Sequence, residues 1–110
     1  MSADATMERW QDVAAVDALP PGERLVVDVD GVGVVVFNLD GRFCAVRDEC
    51  PHDGGILSAG KLEGEVLVCP RHGARFSVCS GAVLGPPAYE DLQPYETRTC
   101  NGRVQVRLPD

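Results

Sequence analysis

The sequence has no long hydrophobic run, and this limits where the protein can reside. Its longest apolar stretch, Val32 to Phe37, is interrupted by Gly33 and is far shorter than the roughly 20 residues that cross a bilayer. The N-terminal residues also lack a basic segment followed by an apolar one, so no signal peptide is predicted. We therefore expect a cytoplasmic protein without a membrane partner.

Positive charge is also scarce. Ten Lys and Arg residues stand against seventeen Asp and Glu residues, which gives a net charge of −7 in a chain of 110 residues. No basic stripe with interleaved aromatic residues is present, so a nucleic-acid partner is not expected. An acidic surface is compatible with steering toward basic partner proteins.

The sequence lacks a useful stretch of helical periodicity, and short valine-rich runs separated by turn signals take its place. Three runs, 24–29, 32–39 and 42–47, are joined by Asp-Gly pairs, which predicts an antiparallel meander. A further hairpin is predicted around the Asn101-Gly102 turn, and residues 10–14 form a candidate edge strand. These patterns predict an all-β protein of one domain.

Histidine occurs only twice, and both histidines follow a Cys-Pro step. The two motifs read Cys50-Pro51-His52 and Cys69-Pro70-Arg71-His72. Thiolate and imidazole groups are common metal ligands. One residue between Cys50 and His52 is too few to wrap both side chains comfortably around a single ion. The spacing therefore favours a loop that offers adjacent ligands to two neighbouring metals.

These motifs, with residues 50–55, residues 69–76 and the Gly85-Pro86-Pro87 segment around them, resemble the Rieske family. In that family two cysteines bind one iron of a [2Fe–2S] cluster and two histidines bind the other. The resemblance implies one cluster per chain. Its implied ligands are Cys50 and Cys69 on one iron, and His52 and His72 on the other.

The resemblance also implies a fold and its division. It implies a Rieske-like antiparallel β-sandwich or barrel with an inserted, loop-rich cluster-binding subdomain. We expect a single Rieske domain over residues 1–110, with a basal β part at about 8–47 and 88–110 and the subdomain at about 48–87. Only residues 65–68 and 76–78 read as short strands within the latter stretch. Because it is so poor in strand signals, we expect its shape to depend on the cluster.

Two alternatives to the cluster stay open at this point. One is a Cys2His2 zinc site, but such sites usually pair cysteine with cysteine and histidine with histidine in each half. The other is that two buried histidines and two ordinary cysteines have no metal. That alternative leaves unexplained why every histidine of the chain falls within the two motifs.

The resemblance implies a one-electron carrier. Rieske oxygenases add a mononuclear iron on a 2-His-1-carboxylate triad, for which this chain has no further histidines. A dinucleotide-binding G-x-G-x-x-G signature is also missing. We expect a stand-alone Rieske-type ferredoxin that relays electrons from a flavin reductase to a terminal oxygenase, and not an enzyme with its own substrate site. The alternatives are a small subunit of a nitrite-reductase-type enzyme and a redox-sensing module.

Three cysteines lie outside the motifs: Cys44, Cys79 and Cys100. A reducing compartment makes a structural disulfide improbable, so we expect three thiols without a function. Cys44 reads as an inward strand residue, and Cys79 lies closest to the second motif.

The loop composition predicts a low reduction potential. In the resembled family, high-potential members carry an additional disulfide between the loops and hydroxyl groups that donate hydrogen bonds to the cluster. The corresponding positions here are Gly55 and Arg71 for the disulfide, and Ala74 and Phe76 for the hydroxyl groups. With these donors missing, the reduced cluster is less stabilised.

Overall fold

The computed structural model describes residues 9–50, 55–70, 73–86 and 90–108. These residues form β-strands and one short 3-10 turn at Val16–Ala18, and no helix among them is long and apolar enough to cross a membrane. The strands are β1 (Trp10–Ala15), β2 (Arg24–Val29), β3 (Val32–Leu39), β4 (Arg42–Arg47), β5 (Lys61–Glu63), β6 (Val66–Val68), β7 (Arg75–Ser77), β8 (Val83–Gly85), β9 (Pro94–Tyr95), β10 (Thr97–Cys100) and β11 (Arg103–Arg107).

The strands form three antiparallel sheets, with the orders β1-β11-β10, β2-β3-β4-β9 and β5-β6-β7-β8. The predicted meander is confirmed as β2, β3 and β4, and the predicted final hairpin as β10 and β11. In the turns between β2 and β3, β3 and β4, and β10 and β11, both central residues have positive φ, for example 55° at Asp30 and 86° at Gly31. Asp-Gly and Asn-Gly pairs suit this turn because Asp, Asn and Gly tolerate the left-handed region.

The central sheet, β2-β3-β4-β9, is buried on both faces. Val34 and Val36 of β3 pack with Val104 and Val106 of β11 in one apolar core, which we call the basal core. Their neighbours Val35 and Phe37 point the other way, into a second core. Successive side chains of a strand alternate between faces, so only a strand covered on both sides is apolar at every position. This accounts for the unbroken apolar run of β3.

The second core, called the distal core, lies between the central sheet and the sheet β5-β6-β7-β8, which we call the smaller sheet because each of its strands has three residues. Cross-strand pairs Val35–Val46 and Phe37–Cys44 form its floor on β3 and β4. The remaining buried members come from the region predicted to hold the metal and from just beyond it: Cys50, Leu57, Leu67, Cys69, Ala74, Phe76, Val78 and Leu92.

Residues 48–87 contain more regular structure than their few strand signals indicate. A complete four-stranded antiparallel sheet lies within residues 61–85, and Leu67 and Phe76 at its centre are fully buried. Strands of three residues are too short to show the alternation by which longer strands are recognised. Two of the four, β6 and β7, were anticipated within a residue, whereas β5 and β8 were missed.

The expectation that Cys44 and Cys79 are separate thiols is also wrong, since they form a disulfide with their Cα atoms 4.8 Å apart. Cys44 lies on the distal face of β4, and Cys79 follows β7, so the bond joins the central sheet to the smaller sheet. It spans 35 residues of sequence, which corresponds to about 4 kcal/mol in the chain-entropy account of disulfide stabilisation. The expectation rested on a reducing compartment and took no account of tertiary proximity, and folding brings the two side chains together.

Candidate metal centre

The two cysteines of the predicted ligand set are buried in the distal core. Cys50 follows β4 by three residues and is fully buried, and Cys69 directly follows β6 and is 2% exposed. Neither is part of a disulfide. The structure therefore brings Cys50 and Cys69, nineteen positions apart in sequence, into one apolar cluster.

The two histidines of the set, His52 and His72, lie outside the described residues. The ligand set of Cys50, His52, Cys69 and His72 as a whole therefore stays a prediction. Within the described ranges, no group of three or more His, Cys, Asp or Glu side chains could hold a metal ion.

Each ligand loop is closed by a backbone hydrogen bond, and the two bonds have the same spacing in sequence. The Cys50 N–H donates to the Gly55 carbonyl at 2.8 Å, and the Cys69 N–H donates to the Ala74 carbonyl at 2.7 Å. Each bond therefore joins the cysteine to the residue five positions later and encloses one histidine in sequence. In the second loop Gly73 has a φ of +78°, a conformation that glycine adopts without steric cost.

Asp48 closes the first ligand loop a second time. Its Oδ1 accepts hydrogen bonds from the N–H groups of Leu57 at 2.8 Å and Ser58 at 2.6 Å. Its own N–H donates to the Gly33 carbonyl of β3 at 2.9 Å. Asp48 therefore ties the two ends of the Cys50 loop to each other and to the central sheet.

Arg24 of β2 anchors the end of the same loop. Its Nη1 donates to the carbonyls of Ser58 at 2.8 Å and Gly60 at 2.6 Å, and its guanidinium lies 5.1 Å from the centre of the Phe37 ring. At Gly60, a Cβ atom would lie 2.2 Å from the Val68 carbonyl oxygen. Because Val68 immediately precedes Cys69, this close approach places the end of the first loop against the strand that carries the second cysteine.

The surface beside the second loop carries an exposed ion pair. Arg75 donates a hydrogen bond to Glu63 Oε1 at 2.9 Å, and this bond and the guanidinium charge lower the pKa of Glu63. An exposed pair of this kind contributes little to stability. Two large apolar side chains, Ile56 and Leu84, are more than half exposed. The surface of this segment is therefore a mixture of charge and apolar area.

The described residues fit a [2Fe–2S] cluster. The thiols of Cys50 and Cys69 are withdrawn from solvent in one core, at the start of two equivalent loops. Soft thiolate ligands are those that iron–sulfur clusters require, and the imidazoles of the two loops would complete a Rieske set. Cys50 and Cys69 would hold one iron, and His52 and His72 the other.

Several functional residues were not found from the sequence. Asp48 and Arg24 brace the first loop through backbone carbonyls and N–H groups, and such bonds leave no motif. Asp48 accepts from N–H groups 9 and 10 residues later, and the partners of Arg24 lie 34 and 36 residues away, so no local pattern marks either residue.

We predict that Asp48→Ala destabilises the protein by about 2–3 kcal/mol, because two N–H groups lose a charged acceptor. Asp48→Asn keeps an oxygen at the same place and is the matched control, which should retain roughly half or more of that stability. Denaturant unfolding of the two variants beside the parent measures the difference. Equal losses in both variants would show that the carboxylate charge, and not the hydrogen bonds to Leu57 and Ser58, supports the loop.

Comparison with known proteins identifies the family. The model of the Rieske [2Fe–2S] domain matches residues 9–96. The ferredoxin component of the naphthalene 1,2-dioxygenase/salicylate 5-hydroxylase systems of Ralstonia sp. is 33% identical over 101 residues, which cover 92% of this chain and 97% of that protein. The biphenyl dioxygenase ferredoxin subunit of Pseudomonas sp. (strain KKS102) is 44% identical over 85 residues, covering 76% of this chain and 78% of that one.

Solved structures agree with this assignment. The ferredoxin of carbazole 1,9a-dioxygenase from Nocardioides aromaticivorans IC177 superposes with a TM-score of 0.85 at 29% identity, covering 92% of this chain and 98% of that chain. A chain from a complex of reduced oxygenase and oxidized ferredoxin in carbazole 1,9a-dioxygenase gives 0.83 at 34% identity, covering 88% and 91%. The expected all-β Rieske-like fold is thereby confirmed, and the protein belongs to the Rieske [2Fe–2S] domain family.

Proposed function

We propose that this chain is the ferredoxin component of a Rieske oxygenase system. It would take one electron at a time from a flavin-dependent reductase and deliver it to a terminal oxygenase, in the cytoplasm. The observation that carries the proposal is the pair of buried cysteines opening two equivalent loops, each with one histidine in its sequence.

The proposed ligands are Cys50, His52, Cys69 and His72, which would bind one [2Fe–2S] cluster. When bound, this cluster supplies reversible one-electron chemistry. The protein bends the chain into two closed loops, braces the first through Asp48 and Arg24, and buries both thiols. We also propose that residues of about 48–87 form the cluster-binding subdomain and the flanking residues the basal part.

The extent of the match supports a carrier. The aligned region covers nearly the whole of the Ralstonia sp. ferredoxin component, so the similarity is not confined to a domain of a larger catalytic subunit. A nitrite-reductase-type subunit or a sensor has no comparable observation in its favour. Substrate chemistry would then belong to the partner oxygenase, and the role of this chain would be to present its cluster.

We propose that the partner proteins dock on the two ligand loops. Electron transfer requires the cluster to approach its partner, and the loops are the part of the chain that would carry it. Three residues proposed to take part in docking, Asp53, Arg71 and Pro87, lie outside the described residues. The Gly85-Pro86-Pro87 sequence, which begins at the last residue of β8, resembles the proline loop of the family.

Electron relay is tested by mixing the chain with a purified flavin-dependent reductase and a purified Rieske terminal oxygenase. The reduced chain should be oxidised by the oxygenase in stopped-flow absorbance measurements, and the rate should fall as salt rises because exposed charges steer the encounter. The His72→Ala variant serves as the control that should not relay electrons. Oxygenase turnover that proceeds equally well without this chain would contradict the proposal.

We predict a reduction potential of about −150 mV, at the lower end of the Rieske range. Ala74 and Phe76 are both fully buried and carry no hydroxyl group, so neither side chain can donate a hydrogen bond that stabilises the reduced cluster. Ala74→Ser and Phe76→Tyr should each raise the potential in protein-film voltammetry at neutral pH. A parent value above roughly +100 mV would contradict both the hydrogen-bond argument and the assignment to an oxygenase system.

A further inference from the structure

The Cys44–Cys79 disulfide encloses the whole predicted ligand set. The bond connects residues 35 positions apart, and Cys50, His52, Cys69 and His72 all lie between them in sequence. One end is on β4 of the central sheet, and the other follows β7 of the smaller sheet. Any opening of the segment that carries the ligands therefore takes place within a closed covalent loop.

The bond lies in the same core as the predicted ligand cysteines. Cys44 is a buried member of the distal core together with Cys50 and Cys69, and Cys79 packs against that core. A change at the disulfide is thus a change in the packing around the two ligand thiols. Close-packed cores transmit such changes because they contain few voids.

Apart from the chain itself, the other ties between the central sheet and this segment are non-covalent. Arg24 of β2 donates hydrogen bonds to the Ser58 and Gly60 carbonyls, and the Asp48 N–H donates to the Gly33 carbonyl of β3 at 2.9 Å. The Arg42–Glu65 ion pair is exposed and contributes little. Breaking the disulfide would therefore leave the segment attached, but free to open more often.

The two cysteines of the bond differ in exposure. Cys44 is 7% exposed on β4, whereas Cys79 is only partly buried, in a turn closed by the Gly81 N–H bond to the Ser77 carbonyl at 2.8 Å. An attacking thiolate needs access to one sulfur of the bond. Cys79, the more exposed residue, is the end of the bond that a thiolate would reach first.

We propose that this disulfide is a thiol-reducible clamp on the cluster, an inference that rests on the proposed function. A dithiol, small or protein-borne, attacks Cys79 Sγ as a thiolate, the Sγ–Sγ bond breaks, and Cys44 leaves as a thiolate that takes up a proton. The second thiol of the reductant then attacks the mixed disulfide and releases Cys79. The dithiol loses two electrons and becomes a disulfide, and the chain gains two thiols.

Reduction loosens the clamp because an open segment regains the chain entropy that the bond removes. Loss of the cluster requires the two ligand loops to separate. Once the disulfide is reduced, the protein should therefore keep its fold and, at first, its cluster. It should then lose the cluster faster than the protein with the disulfide intact. In a cytoplasmic protein such bonds are usually transient, which suits a clamp that responds to thiols.

The first measurement counts the thiols of the purified holoprotein. Alkylation under denaturing conditions, followed by intact-mass analysis, should modify three cysteines before reduction and all five after it. Five modified cysteines without reduction would overturn the clamp. A parent protein without iron and sulfide would instead contradict the proposed function, and the clamp with it.

The second measurement follows release of the cluster to an iron chelator by visible absorbance, with and without dithiothreitol. Release from the parent should accelerate roughly tenfold with the dithiol. The Cys44→Ser/Cys79→Ser variant should release its cluster quickly in both conditions, which separates loss of the disulfide from reduction of the cluster itself. Cys100→Ser, which alters a cysteine outside the bond, should behave like the parent.

A parent protein that responds to dithiothreitol no more than the double variant does would overturn the proposal. So would a double variant that releases its cluster as slowly as the oxidised parent. If the double variant does not fold, the parent and Cys100→Ser alone decide: an equal rate with and without the dithiol overturns the clamp, and an accelerated rate supports it.

Discussion

Packing on both faces of the central sheet is the constraint on which the rest of the structure depends. Val34 and Val36 bind the sheet to β11 through the basal core, while Val35 and Phe37 of the same strand support the distal core. Burial of apolar area on both sides stabilises the sheet and leaves it little freedom to shift in register. The distal face of this sheet is therefore held in a fixed position, and the two cysteines of the predicted metal centre pack in the core on that face.

The ligand loops are positioned by contacts with the distal face of the central sheet. Cys50 leaves β4 of the central sheet, and Cys69 leaves β6 of the smaller sheet, so the two thiols reach the distal core from different sheets. Bonds from Asp48 and Arg24 connect the first loop to the central sheet, and the disulfide connects the end of the segment to it. An electron carrier benefits from such bracing, because ligands held in place need little rearrangement when the charge of the cluster changes.

Much of the fold was predictable from local signals. The Asp30-Gly31, Asp40-Gly41 and Asn101-Gly102 pairs predicted the hairpin turns. Runs rich in valine, either alternating with polar residues or continuous, predicted the longer strands. Strands of three residues, such as β5 and β8, carry too little pattern to be found. The Cys44–Cys79 bond depends on tertiary proximity, which the sequence does not reveal, and the argument from a reducing compartment predicted separate thiols instead. Of the predicted centre, the motifs singled out Cys50 and Cys69, which the structure buries in one core. The supporting roles of Asp48 and Arg24 arise from contacts between distant segments and were not predictable.

The central claim is that one [2Fe–2S] cluster is bound by two cysteines and two histidines of this chain. Pulsed EPR of the dithionite-reduced protein, labelled with 15N at histidine, tests it most directly. The account predicts hyperfine couplings from two histidine nitrogens bound to iron, and the loss of that signal when His52 is replaced by alanine. An all-cysteine cluster signal without histidine coupling, or a protein that holds zinc and no iron after anaerobic reconstitution, would contradict it.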